Sequence, residues 1–212
     1  MFRIRQLLPF IALAAVLGIA APGNAQTIID EWASVKAPPA PELTAVTVDP
    51  KTTALLELDF ITQTCNNEHR PRCVASLPKA KKFLDTARAH GMFVVYSIIP
   101  GPPTIADTLP DVAPKGNEPV VKSGVDKFLN TDLDKILKDH GITTVIVNGT
   151  SAQGAIMYTG SEAVLRGYKV IVPVDGMSAE SPYIEQYVAY NFLHAPVIAG
   201  NVTLTSYGMM KF

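Results

Sequence analysis

The sequence predicts an α/β domain in three layers, α/β/α, built on a mostly parallel sheet. Strand-like and helix-like patterns alternate along the chain, which implies βαβ units with helices on both faces of one sheet. The strand patterns are continuous Val, Ile and Leu runs, as expected of strands buried on both sides. A chain of 212 residues that is 48% hydrophobic suits one domain with a full core plus a targeting segment. The formal charge is -1, with no long run of one sign, so nothing points to nucleic acid or an anionic membrane as partner. There is no internal repeat and no low-complexity tract.

Residues 1–25 read as a signal peptide. Arg3 and Arg5 precede an apolar run from Leu7 to Ala21, and Pro22-Gly23-Asn24-Ala25 makes a small, turn-rich end suited to cleavage. The run is short for a membrane span, which needs about 20 apolar residues. No Cys follows it as a lipoprotein would require. A bacterial periplasmic or secreted protein, free of the membrane after cleavage, is expected. Residues 26–50 contain Pro38, Pro39 and Pro41 and read as an extended arm, with Trp32 favouring an arm docked on the domain over a loose linker.

The domain itself is expected over residues 51–212. Thr53 to Asp59 is a buried strand ending in a carboxylate. Leu77 to His90 is a helix with Leu77, Ala80, Phe83, Leu84 and Ala87 on one face, closed by Gly91. Phe93 to Ser97 is the second strand, followed by a Pro-rich loop to Gly116. Pro119 to Lys122 is a short third strand. Thr131 to His140 is a helix capped by Thr131 and ended by Gly141. Thr144 to Asn148 is the fourth strand and Gly154 to Arg166 the helix after it. Lys169 to Val174, a helix over Pro182 to His194, and Val202 to Thr205 complete the pattern.

Ligands of such sheets bind beyond the carboxyl ends of the strands, where strand order reverses. Three places therefore carry candidate chemistry. Asp59, at the mouth of the first strand, can act as acid or base, or it can merely cap a turn. Lys122, at the end of the third, can pair with Asp59 or an anionic substrate, or it can be a solvated strand end. In Gly149-Thr150-Ser151-Ala152-Gln153-Gly154-Ala155 the amides of a helix start can hold an oxyanion or a substrate carboxylate, and Ser151 can simply cap the helix. The segment fits neither a phosphate-binding Gly-Lys-Ser/Thr loop nor a dinucleotide loop. Cys65 and Cys73 lie close together, and in an oxidising compartment they are expected to form a disulfide. Free thiols, with one a displaced nucleophile or both a redox sensor, and a metal site with His69 are the alternatives.

Taken together, Ala54-Leu-Leu-Glu-Leu-Asp59, Lys122 six residues before Phe128, Gly141 to Gly149, Thr159, and Ala163 to Val172 followed by Asp175 resemble the isochorismatase-like (cysteine hydrolase) family. The resemblance covers roughly Thr53 to Thr205. It implies a six-stranded sheet and a homo-oligomer as an option, since such proteins often form dimers or tetramers. It places the family's catalytic Asp at Asp59 and its Lys at Lys122. The family's nucleophilic Cys lies four residues before the Thr matched by Thr159, and that position here is Ala155, which cannot attack anything. A cis peptide typical of the family would fall at Thr150-Ser151. Isochorismatases proper also lack the Cys and look to use the Asp as an acid. The metal-binding set of the nicotinamidase branch has no match, so no metal and no cofactor are expected. Phe128, Tyr158 and Tyr183 are either pocket lining or core.

Two functions fit these residues. One is a hydrolase of a small molecule, with Asp59 as acid/base, Lys122 positioning it, and Thr150, Ser151 and Gly154 around the oxyanion or substrate. The other is a catalytically inactive protein that binds a small molecule on the same fold.

Overall fold

The computed structural model describes residues 27–212. The expected signal peptide lies outside the described residues. The chain divides into two compact units, the first ending at Ala37 and the second spanning Pro38–Phe212. Within the first, Ile28–Glu31 forms a helical turn (α1) and Trp32–Ser34 a 3-10 turn, so the part expected to be extended is helical there. Thr27 caps α1 reciprocally with Asp30.

The second unit is built on a parallel sheet. Its strands are β2 (Thr53–Leu58), β3 (Phe93–Ile98), β4 (Val120–Lys122), β5 (Thr144–Thr150), β6 (Lys169–Pro173) and β8 (Val202–Thr205), in the order β4-β3-β2-β5-β6-β8. A two-residue strand, β7 (Met177–Ser178), pairs with the end of β5 and brings the sheet to seven strands, one more than expected. Two residues carry no periodic signal, which is why the sequence did not show it. A separate small sheet joins β1 (Val46–Thr47) to β9 (Met210–Lys211).

The chain runs from β2 outward to β3 and β4, then returns to the other side of β2 as β5. Right-handed crossovers therefore place α2 (Pro71–Ala89) on one face and α3 (Leu133–Asp139), α4 (Met157–Leu165) and α5 (Pro182–His194) on the other. The strand residues divide accordingly. Leu55, Val94, Tyr96 and Ile146 pack with Leu77, Phe83 and Leu84 of α2. Leu56, Leu58, Val145, Val147 and Val170 pack with Leu137, Ala163, Val188 and Phe192. Every residue of β2 is buried, as befits a strand covered on both sides.

The helices depart from expectation at their starts. α2 begins at Pro71, in the first-turn position that suits proline, and contains Pro78. A single π-helical turn, Ala152–Ile156, precedes α4. The sheet edges are short or covered. β4 has three residues. At the other edge, the Thr44 N–H donates to the Leu204 carbonyl of β8 at 2.9 Å.

Candidate active site

The reversal of strand order falls between β2 and β5, and the candidate residues converge there. Gly149 lies opposite Leu58 in the register, with φ +132, and a Cβ on it would sit 2.0 Å from the Leu58 carbonyl oxygen. Only glycine lets the two strand ends approach so closely. Asp59 follows immediately, with φ 55. Its carbonyl accepts the Ile61 N–H at 2.8 Å and the Thr64 hydroxyl, which hold this turn.

The Asp59 carboxylate is buried, and each of its oxygens accepts a hydrogen bond. Its Oδ1 accepts the Ser97 hydroxyl at 2.8 Å, and its Oδ2 accepts the Lys127 ammonium at 2.7 Å. Lys127 is wholly buried, and its Nζ also donates to the Ser123 carbonyl at 3.1 Å. Burial lifts the Asp59 pKa above its ordinary value, against the opposing pull of Lys127 and Ser97. Burial likewise lowers the Lys127 amine, against the pull of Asp59. The two proton affinities are thus driven towards each other, which suits a pair that must take up and release a proton.

This pair corrects the expectation for Lys122. β4 is the edge strand, with β3 between it and β2. The Lys122 ammonium instead donates to the Gly101 and Pro103 carbonyls at 2.6 and 2.9 Å, tying down the Pro-rich loop. The chain folds back after Ser123 and delivers Lys127 under Asp59. Thr159 of α4 fixes that return, accepting the Lys127 N–H and donating to the Val125 carbonyl, each at 3.2 Å. Nothing in the spacing marks Lys127, because the interval to Phe128 points to Lys122.

Ala155 lies in the π-helical turn, buried, one helical turn before Thr159. A Cβ on its neighbour Gly154 would stand 3.4 Å from the Val125 side chain, so this face of the turn looks onto the Lys127 loop. The Gly154 N–H is already donated to the Ser151 carbonyl at 3.1 Å, which corrects its expected part as an oxyanion donor. The Ile156 N–H goes to the same carbonyl at 3.2 Å. The peptide between Thr150 and Ser151 is cis, as the resemblance implied. The Thr150 hydroxyl donates to the Ser178 carbonyl at 3.4 Å and is buried. Ser151 stands at the N-cap, without a side-chain capping bond. Phe128 belongs to the core, whereas Tyr158 and Tyr183 are exposed.

Cys65 and Cys73 are bridged and buried, so neither is a free nucleophile. The loop they close carries Arg70 and Arg72. Arg70 donates through Nε to Glu180 Oε1 at 2.8 Å and through Nη1 to the Thr64 carbonyl at 2.9 Å. The other Glu180 oxygen accepts Gln153 Nε2 at 2.9 Å. A chain of contacts from α2's start to α4's start therefore crosses the strand ends beside Asp59. Arg72 pairs with Glu185.

Sequence reasoning also missed Glu57. It is buried in β2, opposite Asn148 of β5 and Tyr96 of β3, and neither carboxyl oxygen has a protein partner. Asn148 is itself committed to the Leu56 carbonyl and the Tyr207 hydroxyl. Desolvation pushes the Glu57 pKa up to about 8, so the group is largely a neutral acid at neutral pH. Among the described residues no cluster of His, Cys, Asp and Glu could hold a metal, and the His69 ring stands 3.9 Å from the Glu68 carboxylate.

The profile of the isochorismatase domain matches residues 53–201. An N-carbamoylsarcosine amidase of an Arthrobacter species is 30% identical over 81 residues, covering 38% of this chain and 31% of that protein. A streptothricin hydrolase of Streptomyces noursei is 33% identical over 105 residues, covering 45% of this chain and 41% of that protein. The chain thus matches well under half the length of these curated relatives. An isochorismatase family protein from Desulfovibrio vulgaris superposes with a TM-score of 0.67 at 19% identity, covering 74% of this chain and 95% of that one.

Proposed function

The chain belongs to the isochorismatase family, and on that premise we propose that it hydrolyses a small molecule through Asp59 and Lys127, without a thiol nucleophile. The observation that carries this reading is the buried Asp59–Lys127 pair at the reversal of strand order. A methyl at position 155 removes covalent thiol catalysis and leaves water as the attacking group. Asp59 takes a proton from that water as its oxygen bonds to the electrophilic carbon. The same proton then passes to the leaving nitrogen or oxygen as its bond to carbon breaks. Lys127 stabilises the carboxylate before the first of these transfers and again after the second. Relatives named as an amidase and a hydrolase support the reaction class.

The test is a screen of amides, N-carbamoyl compounds, esters and vinyl ethers with wild type and Asp59→Asn. Turnover is expected to fall by about a hundredfold or more in the variant. Equal turnover would exclude Asp59 as the acid/base. A ligand that stabilises the protein and is recovered unchanged throughout the screen would favour the second reading, a binding protein. That reading draws on the absence of any attacking side chain at position 155. Export completes the proposal. The Cys65–Cys73 bridge supports an oxidising compartment, and N-terminal sequencing of the mature protein is expected to begin at Gln26.

A further inference from the structure

We propose that Arg70 is the anchor for a carboxylate on the substrate, and that Glu180 occupies its place in the ligand-free chain. The inference rests on the reading that ligand binds beside Asp59, and it specifies the class of that ligand.

Two ion pairs link the disulfide-closed loop to the first turn of α5 and the segment before it, and they differ in one respect. In Arg72–Glu185 the acid is the buried partner, with side chains 45% and 13% exposed. Glu185 is further fixed by the Ala179 N–H at 3.0 Å. In Arg70–Glu180 the order is reversed, with the cation 20% and the acid 41% exposed. A buried acid that meets an outlying guanidinium is a structural tie. A half-buried guanidinium whose acid comes from the solvent side is a cation that an anion arriving from solvent can meet in that acid's place.

The position of Arg70 gives that exchange a use. Its Nη1 is held by the Thr64 carbonyl, and the Thr64 hydroxyl bonds the Asp59 carbonyl, so the guanidinium is set by the turn that carries Asp59. Its charge acts on the Asp59 carboxylate. The Cys65–Cys73 bridge encloses Arg70 and limits its travel. Glu180 is also held by Gln153, two residues from Ala155, so the carboxylate lies between the two helix starts that flank the strand ends. A planar guanidinium pairs with a carboxylate through two parallel N–H donors, whichever molecule supplies the carboxylate. Lys127 is spent on Asp59, which leaves Arg70 to meet an incoming anion.

The experiment uses the full chain and a matched pair of probes, N-carbamoylglycine and N-carbamoylglycinamide, which differ only in carboxylate against carboxamide. Affinity is read by calorimetry and by ligand-induced shift of Tm, and hydrolysis is read separately. Wild type is expected to prefer the carboxylate by about tenfold to a hundredfold. Arg70→Gln should remove that preference, lowering affinity for the carboxylate much more than affinity for the carboxamide. Glu180→Gln, which removes the internal competitor, should raise affinity for the carboxylate probe alone by several-fold. Arg72→Gln lies in the same loop and should cost some stability without altering the preference, which separates recognition from loop integrity.

Equal binding of the two probes, a preference that survives Arg70→Gln, or no binding of either probe at millimolar concentration would overturn the proposal. A preference lost in Arg70→Gln with neither probe hydrolysed supports the anchor and counts against the hydrolytic reading. Hydrolysis of both probes at equal kcat/KM does the reverse.

Discussion

Lys127 has no contact with solvent, so replacing it strands a buried carboxylate. In Lys127→Met the loss of the cation raises the Asp59 pKa further, because the first opposing influence on that group is gone. The base form then appears only at higher pH, and the acid limb of the kcat/KM profile should move up. Lys122→Met should leave both the limb and the rate within a few-fold of wild type, since Lys122 holds only the Gly101 and Pro103 carbonyls. A pH–rate profile of the three proteins checks both outcomes. Glu57 yields a separate prediction about stability. Its folded pKa, about 8, lies above that of the unfolded chain, so its contribution is fully present below the ordinary carboxylate range. As pH rises the unfolded chain ionises first, and stability falls by up to about 1.4 kcal/mol per pH unit until the folded group also ionises, near pH 8. Glu57→Gln should flatten that slope in urea titrations between acid and neutral pH. A slope unchanged by the substitution would assign the pH dependence to another group. Neither Lys127 nor the isolation of Glu57 is visible in sequence, because both depend on what the neighbouring strands and the return loop bring alongside.

The elements show where sequence signals are strong and where they fade. β2, β3, β5 and β6 were legible because each is a run of apolar residues covered on both faces. The start of α2 was not, because its first turns bury only Cys73, and the periodic apolar face begins at Leu77. That weakly packed start is the part the disulfide secures. Closing a loop with a sequence separation of 8 should contribute about 2–3 kcal/mol. The double variant Cys65→Ala/Cys73→Ala is therefore expected to lower Tm by several degrees, as measured by calorimetry. It should also blunt any preference set by Arg70, which that loop presents. Where β5 ends, Gly149→Ala would drive a methyl into the Leu58 carbonyl from a conformation that L side chains rarely adopt. A loss of more than about 3 kcal/mol is expected, visible as a shift of the urea midpoint.

At the scale of the whole molecule, the order of strands decides which residues meet. The sequence was sufficient for the layers and for the convergence of Asp59 with the turn after β5, because both follow from alternation and crossover handedness. It misled on the lysine, because the place of β4 at the edge depends on pairing between distant segments. That arrangement of edges has a consequence of its own. A strand with an open side is a template on which another molecule can extend the hydrogen-bonded ladder. Here one side offers three residues ending in Lys122, and the other is shielded where Thr44 lies along β8. Cutting the chain before Val46 would uncover β8, and the shortened protein should form fibrous or amorphous assemblies, detectable by light scattering, at concentrations where the full chain stays dispersed.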